Sequence, residues 1–185
     1  MNKKIIIGLV GETGSGKDTV EHYLRRKYNA QPLRFSRPLK KALHFFFDQP
    51  SKSDQAWFFA VLKERFGDHI LHRGVQRFID RNEGVMCVNG LRMREDEVFI
   101  RSFENSYILY ITADQELRWE RTRHRGEKSD DDQSFEKFQE FESETDTEKA
   151  IPEIGAKADF TFINNRSLDD LLIEVDQAME KILNS

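Results

Sequence analysis

Cysteine, proline and long apolar runs are all scarce in this chain, and each scarcity removes a class of protein. Cys87 is the only cysteine, so neither an intrachain disulfide nor a thiolate metal cluster can form. A reducing cytoplasm is the expected setting. Four prolines stand among 185 residues, and no long linker or internal repeat divides them, so one domain is expected. The longest candidate for a leader or membrane segment, Ile5 to Val10, holds six residues, includes Gly8 and runs into charged Glu12 and Lys17. It is too short for a secretory signal or a bilayer span. An excess of one charge is also missing: 29 Lys and Arg face 33 Asp and Glu, for a net charge of −4. No field draws such a chain onto nucleic acid or an anionic membrane, although a local basic cluster can still hold a small anion.

What is present is a hydrophobic content of 38%, including 15 Phe, beside a charged content of 34%. That is enough for a packed core under a heavily solvated surface. Ile5, Ile6, Ile7, Leu9 and Val10 form a continuous run rich in β-branched residues, the pattern of a strand buried on both faces. Further strands are predicted at Gln31 to Phe35, Gly84 to Val88, Tyr107 to Thr112 and Asp159 to Ile163. Helical patterns separate them: Thr19 to Tyr28, a helix opening at Pro38, residues 54 to 81 with a break near Gly67, and Leu168 to Leu183. The alternation predicts an α/β fold, a five-stranded parallel sheet with helices on both faces. The stretch from Glu127 to Lys149 is the most polar and is expected to be an exposed excursion, whereas Phe45-Phe46-Phe47 reads as core.

Gly11-Glu12-Thr13-Gly14-Ser15-Gly16-Lys17 fits the pattern G-x-x-x-x-G-K between a buried strand and a helix. Glycines let successive N–H groups converge on phosphate oxygens, the helix start adds partial positive charge, and Lys17 supplies a mobile ammonium. The expected ligand is ATP. The next position, where a Ser or Thr commonly holds Mg²⁺, is Asp18, followed by Thr19, so these two are the candidate metal residues.

Gly16-Lys17-Asp18-Thr19 resembles the loop of small-molecule P-loop kinases such as adenylate kinase, and in particular that of phage deoxynucleoside monophosphate kinases and phosphomevalonate kinases. The resemblance implies a three-layer kinase fold with a helical acceptor-binding insertion at about 36–82 and a lid at about 118–147. Ser36-Arg37-Pro38-Leu39-Lys40 resembles the segment by which deoxynucleoside monophosphate kinases grip the acceptor phosphate, which makes Arg37 the first acceptor candidate. Val88-Asn89-Gly90-Leu91-Arg92 resembles the Asp-Gly-x-Arg segment of nucleoside monophosphate kinases and of archaeal proteins similar to dephospho-coenzyme A kinase. It implies that Arg92 binds phosphate and that Asn89 stands where an Asp would help organise metal and acceptor. A neutral amide lacks that charge, so either Asp18 supplies it or metal-dependent turnover is weak. The stretch Arg118 to Gly126 resembles the lid of the archaeal proteins, with Arg121 stacking on the donor base and Arg125 reaching the transferring phosphate. Ala158 to Leu168 resembles the closing strand and loop of dephospho-coenzyme A kinases, which implies that Asn164 and Asn165 border the adenine. Read as residues alone, they serve equally well as turn residues capping the last helix.

The sequence is therefore read as a P-loop kinase, monomer or homodimer, moving the γ phosphate of ATP to a small phosphorylated acceptor, foremost a nucleoside or deoxynucleoside monophosphate. Dephospho-coenzyme A and phosphomevalonate are the alternative acceptors. A nucleotide-binding regulatory protein without kinase activity is the rival motivated by Asn89, and a hydrolysing regulatory NTPase is a third reading. His69 and His72 lie one turn apart with no third metal ligand in view.

Overall fold

The computed structural model describes residues 3–49, 52–125 and 134–185, with the side chains at 52, 53, 124 and 125 outside that description. Five strands, β1 (Ile5–Val10), β2 (Gln31–Leu33), β3 (Val85–Leu91), β4 (Ser106–Thr112) and β5 (Phe160–Ile163), pair in the order β2-β3-β1-β4-β5. Every neighbouring pair is parallel. The helices are α1 (Lys17–Tyr28), α2 (Arg37–His44), α3 (Lys52–Phe66), α4 (Ile70–Asp80), α5 (Arg94–Arg101), α6 (Gln115–Arg125), α7 (Phe135–Glu144), α8 (Asp146–Gly155) and α9 (Leu168–Asn184).

β1 lies at the centre of the sheet, and its side chains divide by alternation. Ile5, Ile7 and Leu9 pack in one apolar layer with Val20 and Leu24 of α1 and with Leu171, Val175 and Met179 of α9. Ile6 and Val10 pack in the opposite layer with Val75 and Ile79 of α4, Ile100 of α5 and Ile151 and Ile154 of α8. Both faces are dry, so the strand needs no polar alternation, which is why its sequence reads as an unbroken apolar run. β1 pairs with β3 on one side and with β4 on the other. The crevice at the carboxyl ends of these strands is where open parallel sheets hold ligands.

Three details depart from the sequence expectation. β3 runs on to Leu91, with a register shift between Leu9 and Val10 that skips Gly90, whose φ is +88°. This bulge leaves both Asn89 and Leu91 buried and puts Arg92 at the strand's end. The Phe45, Phe46 and Phe47 run is not core: the rings are 86%, 79% and 55% exposed, because α2 buries only Leu39 and Leu43 and the chain has left the helix by Phe45. The polar stretch after α6 is not a bare excursion either. From residue 134 it forms α7 and α8, and it buries Phe138 and Glu148. No helix among the described residues is long and apolar enough to cross a membrane.

Candidate functional site

The loop between β1 and α1 is shaped by its neighbours. The Ser15 N–H donates to the Glu12 carbonyl at 3.2 Å, and Gly14 and Gly16 take φ of +81° and +100°. A Cβ on Gly11 would stand 2.3 Å from the Ile111 carbonyl oxygen, one on Gly14 2.3 Å from that of Arg118, and one on Gly16 2.5 Å from the Asn164 amide nitrogen. Only glycine fits at these three points. Gly16 is also the N-cap of α1, where no side chain satisfies the first N–H groups of the helix. Those donors, with their share of the helix dipole, remain for an anion. Lys17 Nζ donates back to the Glu12 carbonyl at 3.3 Å.

Glu12 and Ser15 serve the loop from inside. The Glu12 carboxylate is buried and accepts from the Tyr110 hydroxyl, while the Ser15 hydroxyl is fully enclosed. Burial first and the bond to Glu12 second push the Tyr110 phenol up to about 12.

The loop opens on a cleft of about 1390 Å³. Thr13, Gly14, Gly16, Lys17, Asp18 and Thr19 of the loop and α1 line it, with Asn89, Gly90 and Arg92 from the end of β3 and Arg121 and Thr122 from α6. Arg34, Phe35 and Ser36 after β2 line it too, as do Phe59 and Lys63 of α3, His69, and His72 of α4.

A polar knot joins α1, β3 and the residue after β2. Asn89 Nδ2 donates to Asp18 Oδ1 at 2.7 Å and also to Glu21 Oε2, and Arg34 Nη2 donates to the same two oxygens at 2.8 Å each. Burial alone would raise the Asp18 carboxyl, yet the Asn89 amide, Lys17 and Arg34 together hold it below the ordinary carboxylate value. Burial likewise opposes the charge of Arg34, and Asp18 and Glu21 outweigh it. Sequence reading missed Glu21 and Arg34. The available signals were a carboxylate three residues after Asp18, among the apolar positions Val20 and Leu24, and an arginine at the carboxyl end of a short strand.

Arg92 pairs with the buried Glu148 of α8, while its backbone N–H donates to Asp96 Oδ2 at 2.9 Å. Asp96 Oδ1 lies 2.9 Å from His72 Nε2, so α4 and the Arg92 turn are tied together. Arg121 lines the cleft, its buried Nη1 has no hydrogen-bond partner among the described residues, and burial lowers its affinity for the proton. The side chain of Arg125 and residues 126–133 lie outside the described residues.

Other expected site residues have different surroundings. Arg37 does not line the cleft: its Nη1 donates to the Pro32 carbonyl at 2.5 Å and its guanidinium lies 5.5 Å from the Phe78 ring centre. Proline at the second position of α2 starts the helix at Arg37, and that start turns the side chain back along β2. Arg118, part of the basic stretch, is buried and forked onto Glu142, with a further bond to the Ala113 carbonyl at 2.9 Å. Asn164 donates to the Ser15 carbonyl at 2.9 Å, and Asn165 Oδ1 accepts from the Asp114 N–H at 2.9 Å. Ser167, not either Asn, caps α9.

No family model matches the chain. Among curated proteins it is similar to a UPF0200 protein of Methanocaldococcus jannaschii, 24% identical over 98% of this chain and 92% of the relative. A UPF0200 protein of Pyrococcus horikoshii is 26% identical over 98% of this chain and 99% of its own. Among solved structures, shikimate kinase from Bacteroides thetaiotaomicron aligns with a TM-score of 0.65 at 15% identity, over 96% of this chain and 98% of that one. Shikimate kinase from Acinetobacter baumannii, in complex with shikimate, aligns with a TM-score of 0.60 at 16% identity, over 97% and 95%. The fold of this chain is therefore that of the P-loop kinases.

Proposed function

We propose that the protein is an ATP-dependent phosphotransferase that moves the γ phosphate to a small phosphorylated acceptor of the nucleoside monophosphate class. One observation carries this reading: a loop whose glycines at 11, 14 and 16 admit no side chain opens on a cleft lined by Arg34, Arg92 and Arg121 together with Lys17. Two phosphate-bearing substrates brought face to face need that density of positive charge. The aromatic side chains Phe35, Phe59, His69 and His72 that line the cleft suit a planar base.

In the transfer, an acceptor phosphate oxygen attacks the γ phosphorus while the bond to the bridging oxygen breaks. ADP leaves with that electron pair, and the acceptor becomes a diphosphate. No covalent enzyme intermediate is needed, so the chain contributes alignment and charge. The loop N–H groups and Lys17 hold the β and γ phosphates. Arg92, Arg121 and Arg125 are assigned to the charge that builds on the transferring group. Asp18 and Thr19 line the cleft beside Lys17 and would hold Mg²⁺ with one carboxylate and one hydroxyl. Mg²⁺, when bound there, neutralises phosphate charge. Asp18 in this role offsets the amide at Asn89.

The test is ADP formation with Mg²⁺ across a panel of ribo- and deoxynucleoside monophosphates, dephospho-coenzyme A, phosphomevalonate and shikimate, with Lys17→Ala as the blank. One monophosphate converted to its diphosphate in step with ADP supports the reading. Turnover on shikimate or dephospho-coenzyme A alone overturns the acceptor class, and steady phosphate release without acceptor replaces the kinase with an NTPase.

A further inference from the structure

Arg34 leaves β2 at the carboxyl edge of the sheet, lines the cleft and is half exposed, with 49% of its side chain open. A single nitrogen, Nη2, makes both of its contacts, to Asp18 and Glu21. Its Nη1 and Nε take no partner among the described residues. Of the other arginines, Arg37 is bonded to the Pro32 carbonyl and lies over the Phe78 face, and Arg118 is forked onto Glu142, while Arg92, paired with Glu148, and Arg121 are assigned above to the transferring group. Lys63, which also lines the cleft, is paired with Asp68 at 2.9 Å.

The two carboxylates that hold Arg34 do not depend on it. The Asn89 amide donates to the same oxygens of Asp18 and Glu21, so each keeps a hydrogen bond when the guanidinium turns away. This matters most for Glu21, which is only 6% exposed and would otherwise be left as a bare buried charge. A neutral donor at position 89 makes the exchange possible, and a carboxylate there could not.

Resting on the phosphotransferase reading above, we propose that Arg34 is the ligand of the acceptor's anionic group, parked on Asp18 and Glu21 and handed to the acceptor while Asn89 keeps both carboxylates satisfied. Asp18 directly follows Lys17, so this hand-over places the acceptor phosphate beside the nucleotide phosphates. Arg34 therefore sets acceptor affinity and the choice of an anionic acceptor, and Arg37 does not.

The test compares Arg34→Lys, Arg34→Gln and Arg37→Ala in the full chain. Acceptor and ATP KM values are measured with the turned-over monophosphate, and monophosphate binding is measured by calorimetry in the presence of ADP. Because Arg34→Gln also removes a partner from buried Glu21, the double variant Arg34→Gln/Glu21→Gln is included, and thermal melting checks each fold. Arg34→Lys and the glutamine variants should raise acceptor KM and Kd by about 10- to 100-fold, the loss of charge-assisted hydrogen bonds to one phosphate, with ATP KM within about twofold. Arg37→Ala should leave acceptor KM unchanged. Unaltered acceptor affinity in folded Arg34 variants, or an equal loss in Arg37→Ala, overturns the assignment while the kinase stands. Wild-type protein that neither binds nor converts any monophosphate overturns the acceptor class and this assignment with it.

Discussion

The side-chain amide of Asn164 donates to the backbone carbonyl of Ser15 across 149 positions of sequence, at 2.9 Å. The segment after the last strand thus holds the loop that follows the first. Its nitrogen occupies the space a Cβ on Gly16 would need, so the absent side chain of one residue makes room for the other. Asn164→Ala should therefore loosen the loop as well as the fold. A buried hydrogen bond of this kind is worth about 1–3 kcal/mol when one partner is left unmet, a fall in Tm of roughly 2–4 °C per kcal/mol. ATP affinity by calorimetry should fall with it, whereas an adenine contact alone would lower affinity with Tm unchanged.

Asn89 offers a second test. In the structure Asn89→Asp would set a third carboxylate against Asp18 and buried Glu21 and delete the amide donor that both accept from. The single variant should lose about 2 kcal/mol or more. Exchanging the pair, Asp18→Asn with Asn89→Asp, should recover most of the lost Tm. A double variant no more stable than Asn89→Asp alone would refute the coupling.

Arg118 is expected to behave as a structural arginine. It joins α6 to the Ala113 carbonyl and to Glu142 of α7, with both charges well buried. Arg118→Met leaves Glu142 as an uncompensated charge, a loss of about 3–5 kcal/mol, or on the order of 10 °C in Tm. Arg118→Met/Glu142→Met should cost less than the single change. The melting curves of the two variants decide this.

Below about pH 10 the Tyr28 phenol contributes part of the stability. Burial, then its 2.7 Å bond to Asp176, raise it from 10 to about 12. A group raised in the folded state contributes stability that is whole below its unfolded value and is lost as pH climbs through the folded one. Wild-type stability should therefore decline between about pH 10 and 12. Tyr28→Phe should flatten that decline. At pH 7 its cost should stay near 1 kcal/mol, since Asp176 keeps Tyr23 and Lys27 as partners. Denaturant titrations at pH 7, 10 and 11.5 provide the check.

Much of the fold was legible because its signals are local. Burial on both faces gives β1 its unbroken apolar run, the close approach of Ile111, Arg118 and Asn164 demands glycine at 11, 14 and 16, and α9 shows its core stripe of Leu171, Val175, Met179 and Ile182 directly. Strand ends were less legible. The bulge at Gly90 depends on pairing with β1, so β3 outruns its hydrophobic pattern and takes in Asn89. Exposure of Phe45 to Phe47 was hidden for a related reason: hydrophobicity records what a ring prefers, and burial depends on whether another element arrives to cover it.

The sequence by itself determined the parallel α/β sheet, the glycine loop after β1 and its lysine, because periodicity and glycine spacing act within a few residues of one another. Only the tertiary structure decided what each charged side chain faces. Arg34 meets Asp18 and Glu21, Arg92 meets Glu148, Arg118 meets Glu142, and Arg37 turns to the Pro32 carbonyl. Arginines look alike in a sequence. Their work is set by which carboxylate the packing of distant strands and helices brings within hydrogen-bond reach, and the energy of burying a charge makes that choice binding.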